Sequence, residues 1–240
     1  MAEFSRLVRR YKDLAQSESV GQLMGRAIDK LGVYARTPIK RATFARQTFK
    51  YNNKEFNYAA HPYNATWRNE RAVEVPIMLD FLTEHHGKRL LEVGNVSTYY
   101  RQISHDVVDK YENNDHGLNI DIMDFQPEQR YQGFLAISTF EHIGWDEKPK
   151  EPEKILAAVN QVYKLVSDRS AVLISCPLGY NDALDDYVRG DAFPFTEISY
   201  LARVDAANRW VEADKKEAMR YKYDSRYPAA NGIFVGRGLV

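Results

Sequence analysis

One cysteine, Cys176, occurs in 240 residues, so no disulfide can close within the chain and a reducing compartment is expected. Long apolar runs are also missing. Nowhere does the sequence approach the roughly 18 consecutive apolar residues of a spanning helix. The first residues, MAEFSRLVRRYKDLAQ, hold no apolar signal-peptide core either. These absences together predict a cytoplasmic protein. A metal centre is not expected: His85 and His86 stand at a polar helix end beside Gly87 and read as a solvated terminus.

Net charge is absent as well, with 33 Lys and Arg against 33 Asp and Glu, but the balance conceals an asymmetry. Residues 1–54 hold twelve basic and four acidic residues, a net +8, which leaves the remainder at −8. Such a basic arm suits either an anionic surface or the acidic body of its own chain. A hydrophobic content of 44% is enough for one sizeable core, or one domain with an appendage. The chain shows no internal repeat and no low-complexity segment.

Residues 1–32 carry helical spacing at Phe4, Leu7, Val8, Tyr11, Leu14, Leu23, Ala27 and Leu31. Residues 33–60 are basic and aromatic without a period and read as a connector or lid. The division expected is therefore a basic helical extension over 1–60 and a main domain over 61–240. A helix begins near Trp67, with Pro76 placed to kink or divide it. From Arg89 the pattern becomes short apolar runs at 89–93, 105–109, 117–120, 133–138 and 170–175. The last two flank an amphipathic helix, PEKILAAVNQVYKLVSD. EISYLARV, RWVEAD and NGIFVGRG follow as strands in succession. Alternating strands and helices predict an α/β fold: a doubly wound, mostly parallel seven-stranded sheet with an N-terminal helical extension and an antiparallel edge.

Open sheets of this kind bind ligands beyond the carboxyl ends of their strands. LLEVGNVSTYY ends a strand in a turn at Glu92, Gly94 and Asn95. Two later glycines would be needed to cradle a pyrophosphate, and Val96 and Thr98 replace them. The turn thus suits a ligand end without phosphates. Asp109 ends the second strand, where it can accept ribose hydroxyls, cap a helix or pair with Lys110. Asp121 follows the third, where it can accept from an exocyclic amine beside Ile122 or close a turn. The fourth strand ends at Ser138 and leads directly into Glu141 and His142.

In order and spacing, LLEVGN, VVDKYE, NIDIMDF and ISTFEHI resemble the class I S-adenosylmethionine-dependent methyltransferases across about residues 88–180. That family usually has two or three glycines in the first turn and often an acid opening the fourth block, where Gln132 or Gly133 stands here. The resemblance implies a Rossmann-like methyltransferase fold with S-adenosyl-L-methionine as cofactor. It implies the amino-acid end at Glu92, Gly94 and Asn95, ribose at Asp109, adenine at Asp121 and Ile122, and Ser138 beside them. HPYNATWRNERAVEVP, EHIGWDE and CPLGYNDALDDYVRG look like segments of methyltransferase-like proteins associated with glycan assembly. That likeness implies a sugar, glycan or related small-molecule acceptor met by Tyr63, Trp67, Arg71, Tyr180, Asn181 and Asp185. O-methyl transfer needs a base for the hydroxyl proton, and His142, oriented by Glu141 or Asp146, suits that task; a histidine satisfied by backbone is the other reading. Nucleic acid is not expected as substrate, since the chain is neutral and strand four has no NPPY-like block. A homodimer is a further expectation for the basic arm. A methyltransferase-fold module without chemistry stands as the alternative function.

Overall fold

The structure, a computed structural model, describes residues 20–112 and 117–238. The expected helical positions Phe4 to Leu14 lie outside the described residues. A 24-residue helix, α1 (Val20–Thr43), runs on through the stretch read as an aperiodic connector. A two-stranded antiparallel hairpin follows, β1 (Thr48–Tyr51) and β2 (Lys54–Asn57), turned by Asn52 and Asn53 in left-handed conformations. Polar side chains and short runs hid this hairpin. Its inward residues Phe49 and Tyr51 alternate with exposed Thr48 and Lys50, a period too short to stand out.

Helix α2 (Arg71–Glu84) is one helix across Pro76, not two. The proline's missing N–H would have bonded the Ala72 carbonyl; the Ala59 N–H bonds it instead at 2.9 Å. The main sheet is built from β3 (Leu90–Val93), β4 (Asp106–Val108), β5 (Gly117–Leu118), β6 (Tyr131–Ile137) and β7 (Val166–Pro177), all parallel. β8 (Glu197–Arg203), β9 (Trp210–Ala213) and β10 (Gly232–Arg237) add an antiparallel edge. The order is β5-β4-β3-β6-β7-β10-β8-β9. Eight strands stand where seven were expected. Strand order reverses between β3 and β6, so their carboxyl ends form the switch point of a doubly wound sheet.

Helix α3 (Lys154–Leu165) joins β6 to β7, and α4 (Asp182–Arg189) and the short α5 (Lys215–Ala218) follow β7 and β9. Two apolar layers result. Leu135 and Ile137 of β6 pack with the hairpin and α2 on one face, while Phe134 and Ala136 pack with α3 and α4 on the other. Ile155, Ala158 and Val162 of α3 have no exposure, and each large aliphatic so buried contributes about 1.5–3 kcal/mol. No described helix is long and apolar enough to cross a membrane.

Candidate active site

The chain turns at Gly94 (φ +83°) and continues into a short 3-10 turn at Ser97–Tyr99, with no α-helix between β3 and β4. A helix N-terminus aimed at a phosphate is therefore lacking at this turn. A Cβ on Gly94 would lie 2.1 Å from Thr139 Oγ1, so glycine is what lets this turn close on the chain beyond β6.

Glu92 is fully buried and turned inward. Its Oε1 accepts the Val96 and Ser97 N–H groups at 2.9 and 2.8 Å, and its Oε2 accepts the Ser97 hydroxyl and lies 2.8 Å from His105 Nε2. A buried carboxylate needs such partners, and these leave none of it for a ligand. Glu92 builds the turn instead of lining a pocket. Asp109 is similar: Oδ1 accepts the Tyr111 and Glu112 N–H groups at 2.8 and 2.7 Å, and Oδ2 accepts Asn95 N–H at 3.0 Å. It ties the second strand end to the first turn.

The neighbouring acid Glu112, which the sequence order passed over, is held among the described residues by side chains alone. Tyr99 donates its hydroxyl to Oε1, and Asn95 Nδ2 lies 3.2 Å from Oε2. Such donors can rotate away, so Glu112 is the half-buried carboxylate here that is free to accept hydroxyls. Tyr63 stacks on Tyr99 at 3.6 Å and 5°, placing the expected Tyr63 over this same edge.

Asp121 departs from its expected role. Its Oδ2 takes the ammonium groups of Lys154 at 2.7 Å and Lys110 at 2.9 Å, and its Oδ1 accepts Met123 N–H at 3.0 Å. Burial alone would raise its pKa, but these donors outweigh it and bring it down to about 2. Glu147 completes the quartet with the same two lysines. Ile122 is 4% exposed and packs with Phe125 and Tyr131 in the lower apolar layer.

Beyond β6 the backbone enters a left-handed conformation at Ser138 (φ +40°), a strained position of the sort found at functional turns. The Ser138 hydroxyl points back to Glu74, 2.8 Å from Oε1, beside the Ser175 hydroxyl at 2.7 Å. Arg71 donates to the Ile137 carbonyl at 2.9 Å. Ser138 and Arg71 thus pin the end of β6 to α2, and Ser175 pins the end of β7. Trp67 is 6% exposed in the upper core, turned in by the left-handed Asn64 and Ala65, and does not face a ligand.

The turn Phe140–His142 holds the expected candidate base. His142 Nδ1 lies 2.5 Å from Asp146 Oδ2, one helical-like turn on, and Tyr180 donates to the same oxygen at 2.8 Å. The Tyr180 ring meets the imidazole edge to face at 5.0 Å. Gly144 (φ +69°) allows the loop, since a Cβ there would lie 2.0 Å from the Glu151 carbonyl. With Nδ1 donating to a carboxylate, the lone pair lies on Nε2, and the side chain is 46% exposed. Glu141 is different in kind. It is 1% exposed, its Oε2 has no partner among the described residues, it lies 3.5 Å from His142 Nε2, and burial pushes its pKa well above 4.5. The Tyr100 hydroxyl is the other buried atom without a partner among the described residues.

Asn181 and Asp185 prove to be supports, not contacts for an acceptor. Asn181 caps α4 through the Ala183 and Leu184 N–H groups and donates to the Glu141 carbonyl at 2.8 Å. Asp185, 2% exposed, accepts Gly179 N–H at 2.9 Å. Together they lock the loop that presents Tyr180. Among the described residues no group of three or more His, Cys, Asp or Glu is placed to hold a metal ion.

No family model matches the chain, and no curated protein matches it in sequence. Solved structures align with about two thirds of the chain. They include the N-methyltransferase NodS of Bradyrhizobium japonicum WM9 in complex with S-adenosyl-L-homocysteine (9% identity, 67% of this chain and 82% of that chain, TM-score 0.42). A second is an S-adenosylmethionine-dependent methyltransferase of Thermotoga maritima, described as a possible histamine N-methyltransferase (11%, 68% and 89%, 0.40). A third is the CcbJ methyltransferase of Streptomyces caelestis (8%, 68% and 88%, 0.37).

Proposed function

We propose that the chain is an S-adenosylmethionine-dependent methyltransferase that methylates a hydroxyl of a sugar, glycan or related small molecule. One observation carries the reading. The Asp146–His142 pair stands just beyond Thr139, whose side chain abuts Gly94, so an oriented base and a tight glycine turn share the switch point of the sheet. The residues present fit the cofactor in part. Glu112 and Asn95 offer polar groups for ribose hydroxyls, and Tyr63 and Tyr99 an aromatic wall. Asp121, held by two lysines, does not offer a free acceptor for adenine.

The cofactor, when bound, supplies a methyl group on a positively charged sulfur. His142 Nε2 accepts the proton of the acceptor hydroxyl. Asp146 and Tyr180 fix the ring so that this nitrogen, and not Nδ1, carries the lone pair. Exposed His142 and the Tyr180 loop face the acceptor, while Glu141 lies buried beneath them. Transfer of radiolabelled methyl from S-adenosylmethionine to a panel of sugar, glycan and amine acceptors tests the reading. Labelled alcohols that disappear with His142→Ala support it; labelled amines unaffected by that change contradict it.

A second reading has its own support. Glu92, Asp109 and Asp121, the acids that spacing assigned to the cofactor, all end within the chain's own hydrogen bonds. A methyltransferase-fold module that binds a partner and does no chemistry would need nothing more. It predicts no labelled product with any acceptor.

A further inference from the structure

The end of the sheet opposite the switch point holds a cavity of about 440 Å³. That volume falls within the range of about 300–1,000 Å³ usual for small-molecule sites. Arg71 opens α2 at the carboxyl end of β6, whereas Phe81 and His85 of the cavity wall stand about 15–20 Å further along that helix. The hairpin, the start of β8 and the end of β10 supply other walls. Tyr51 and Phe81, each 1% exposed, and the partly buried Phe56 give the lining an aromatic base.

The charges around the cavity do not cancel. Lys54, Lys88, Arg169 and Arg237 line it against two acids, Glu84 and Glu197, a net +2. Glu84 is already divided between Lys54 and Arg237. Lys88 and Arg169 have no ion-pair partner among the described residues. His85 registers the excess: burial first, then the field of Lys88, push its pKa below the ordinary 6.5.

The backbone singles out Arg169. Pairing of β6 with β7 passes from Tyr131–Val166 to Gly133–Ala171, so residues 167–170 bulge from the sheet. The bulge is tied down, because the Ser170 hydroxyl lies 2.5 Å from the Ser167 carbonyl and 3.1 Å from that of Tyr131. Within it Arg169 takes φ +59°, a left-handed conformation that strains a long side chain and would not strain glycine. Strain kept at an exposed, unpaired arginine on a cavity wall points to a ligand. A guanidinium and an ammonium without partners suit a phosphate dianion, and the aromatic base suits a ring.

We propose that this cavity binds a small molecule bearing a phosphate on an aromatic ring, with Lys88 and Arg169 meeting the phosphate and Tyr51, Phe56 and Phe81 the ring. Calorimetric titration of the full chain with phenyl phosphate tests it, since this probe lacks the adenosine that the switch point could take. Saturable binding is expected, weakened by salt and unchanged by saturating S-adenosylhomocysteine. Phenol and inorganic phosphate should each bind about tenfold or more weakly by comparison. Lys88→Ala and Arg169→Gly should each weaken phenyl phosphate about tenfold, and the glycine variant should hold or raise its melting temperature as the strain is relieved. A folded chain that gives no binding heat with millimolar phenyl phosphate overturns the proposal. So does unchanged affinity in both variants, and so does phenol or inorganic phosphate binding as tightly as phenyl phosphate.

Discussion

Asp146 decides which nitrogen of His142 is basic, and that makes it the residue to change with least disturbance. Both side chains are near half exposed, so replacing either leaves the core intact. His142→Ala should lower kcat by about 10²–10⁴ with little change in melting temperature. Asp146→Asn should cost about tenfold or more by freeing the ring to rotate, read from initial rates across a pH series. A variant of either kind with unaltered kcat would remove His142 from the chemistry.

Two buried acids give opposite pH signatures. Asp121, brought down to about 2 from an ordinary 3.8, contributes stability above about pH 4 that is lost as pH falls toward 2. The side chain is 14% exposed, and the shift corresponds to about 2 kcal/mol. Asp121→Asn should therefore cost about 2 kcal/mol at neutral pH in urea unfolding, with the gap to wild type closing below about pH 3. Glu141 runs the other way. Burial holds it well above 4.5, so its neutral form supports the fold at low pH, and stability is lost as pH rises through the raised value. Glu141→Gln should melt increasingly above wild type as pH rises above about 4.5.

At this scale the sequence disclosed which residues gather and not what each one does. Four acids at the ends of four strands are legible as a row. Whether an acid faces a ligand or its own backbone depends on where neighbouring N–H groups point, and the turns set that. Glu92 meets the N–H groups of Val96 and Ser97 because the turn folds back over it. In VVDKYE the first acid is taken up by backbone and the second is left to side chains, a distinction no spacing carries.

The elements around the site are held by few atoms. Gly94→Ala would force both a positive φ and a contact of 2.1 Å with Thr139, so a loss of about 2–4 kcal/mol is expected in chemical denaturation. Asn181→Ala removes a helix cap and leaves the Glu141 carbonyl without its donor; about 2–3 kcal/mol and a lower rate should follow together, since the same loop presents Tyr180. The sheet strands were readable as short apolar runs and α3 by its clean helical period. The hairpin over 48–57 was not, because its strands TFKY and KEFN mix polar and aromatic residues and form no apolar run. The break read at Pro76 failed for a tertiary reason: Ala59 takes up the carbonyl that proline leaves free.

Taken as a whole, the molecule places its candidate chemistry at one end of the sheet and its cationic cavity at the other. The alternation of strand and helix foretold the doubly wound sheet, and the antiparallel edge followed from three strands in succession. The cofactor remains the central claim, since base, turn and aromatic wall have a common purpose only if S-adenosylmethionine occupies the switch point. Calorimetric titration of the full chain with S-adenosylhomocysteine, repeated on Glu112→Gln, tests it most directly. The account predicts saturable one-site binding that weakens about tenfold or more in the variant while its melting temperature holds. A folded wild-type chain that gives no binding heat and no rise in melting temperature with the ligand would contradict it.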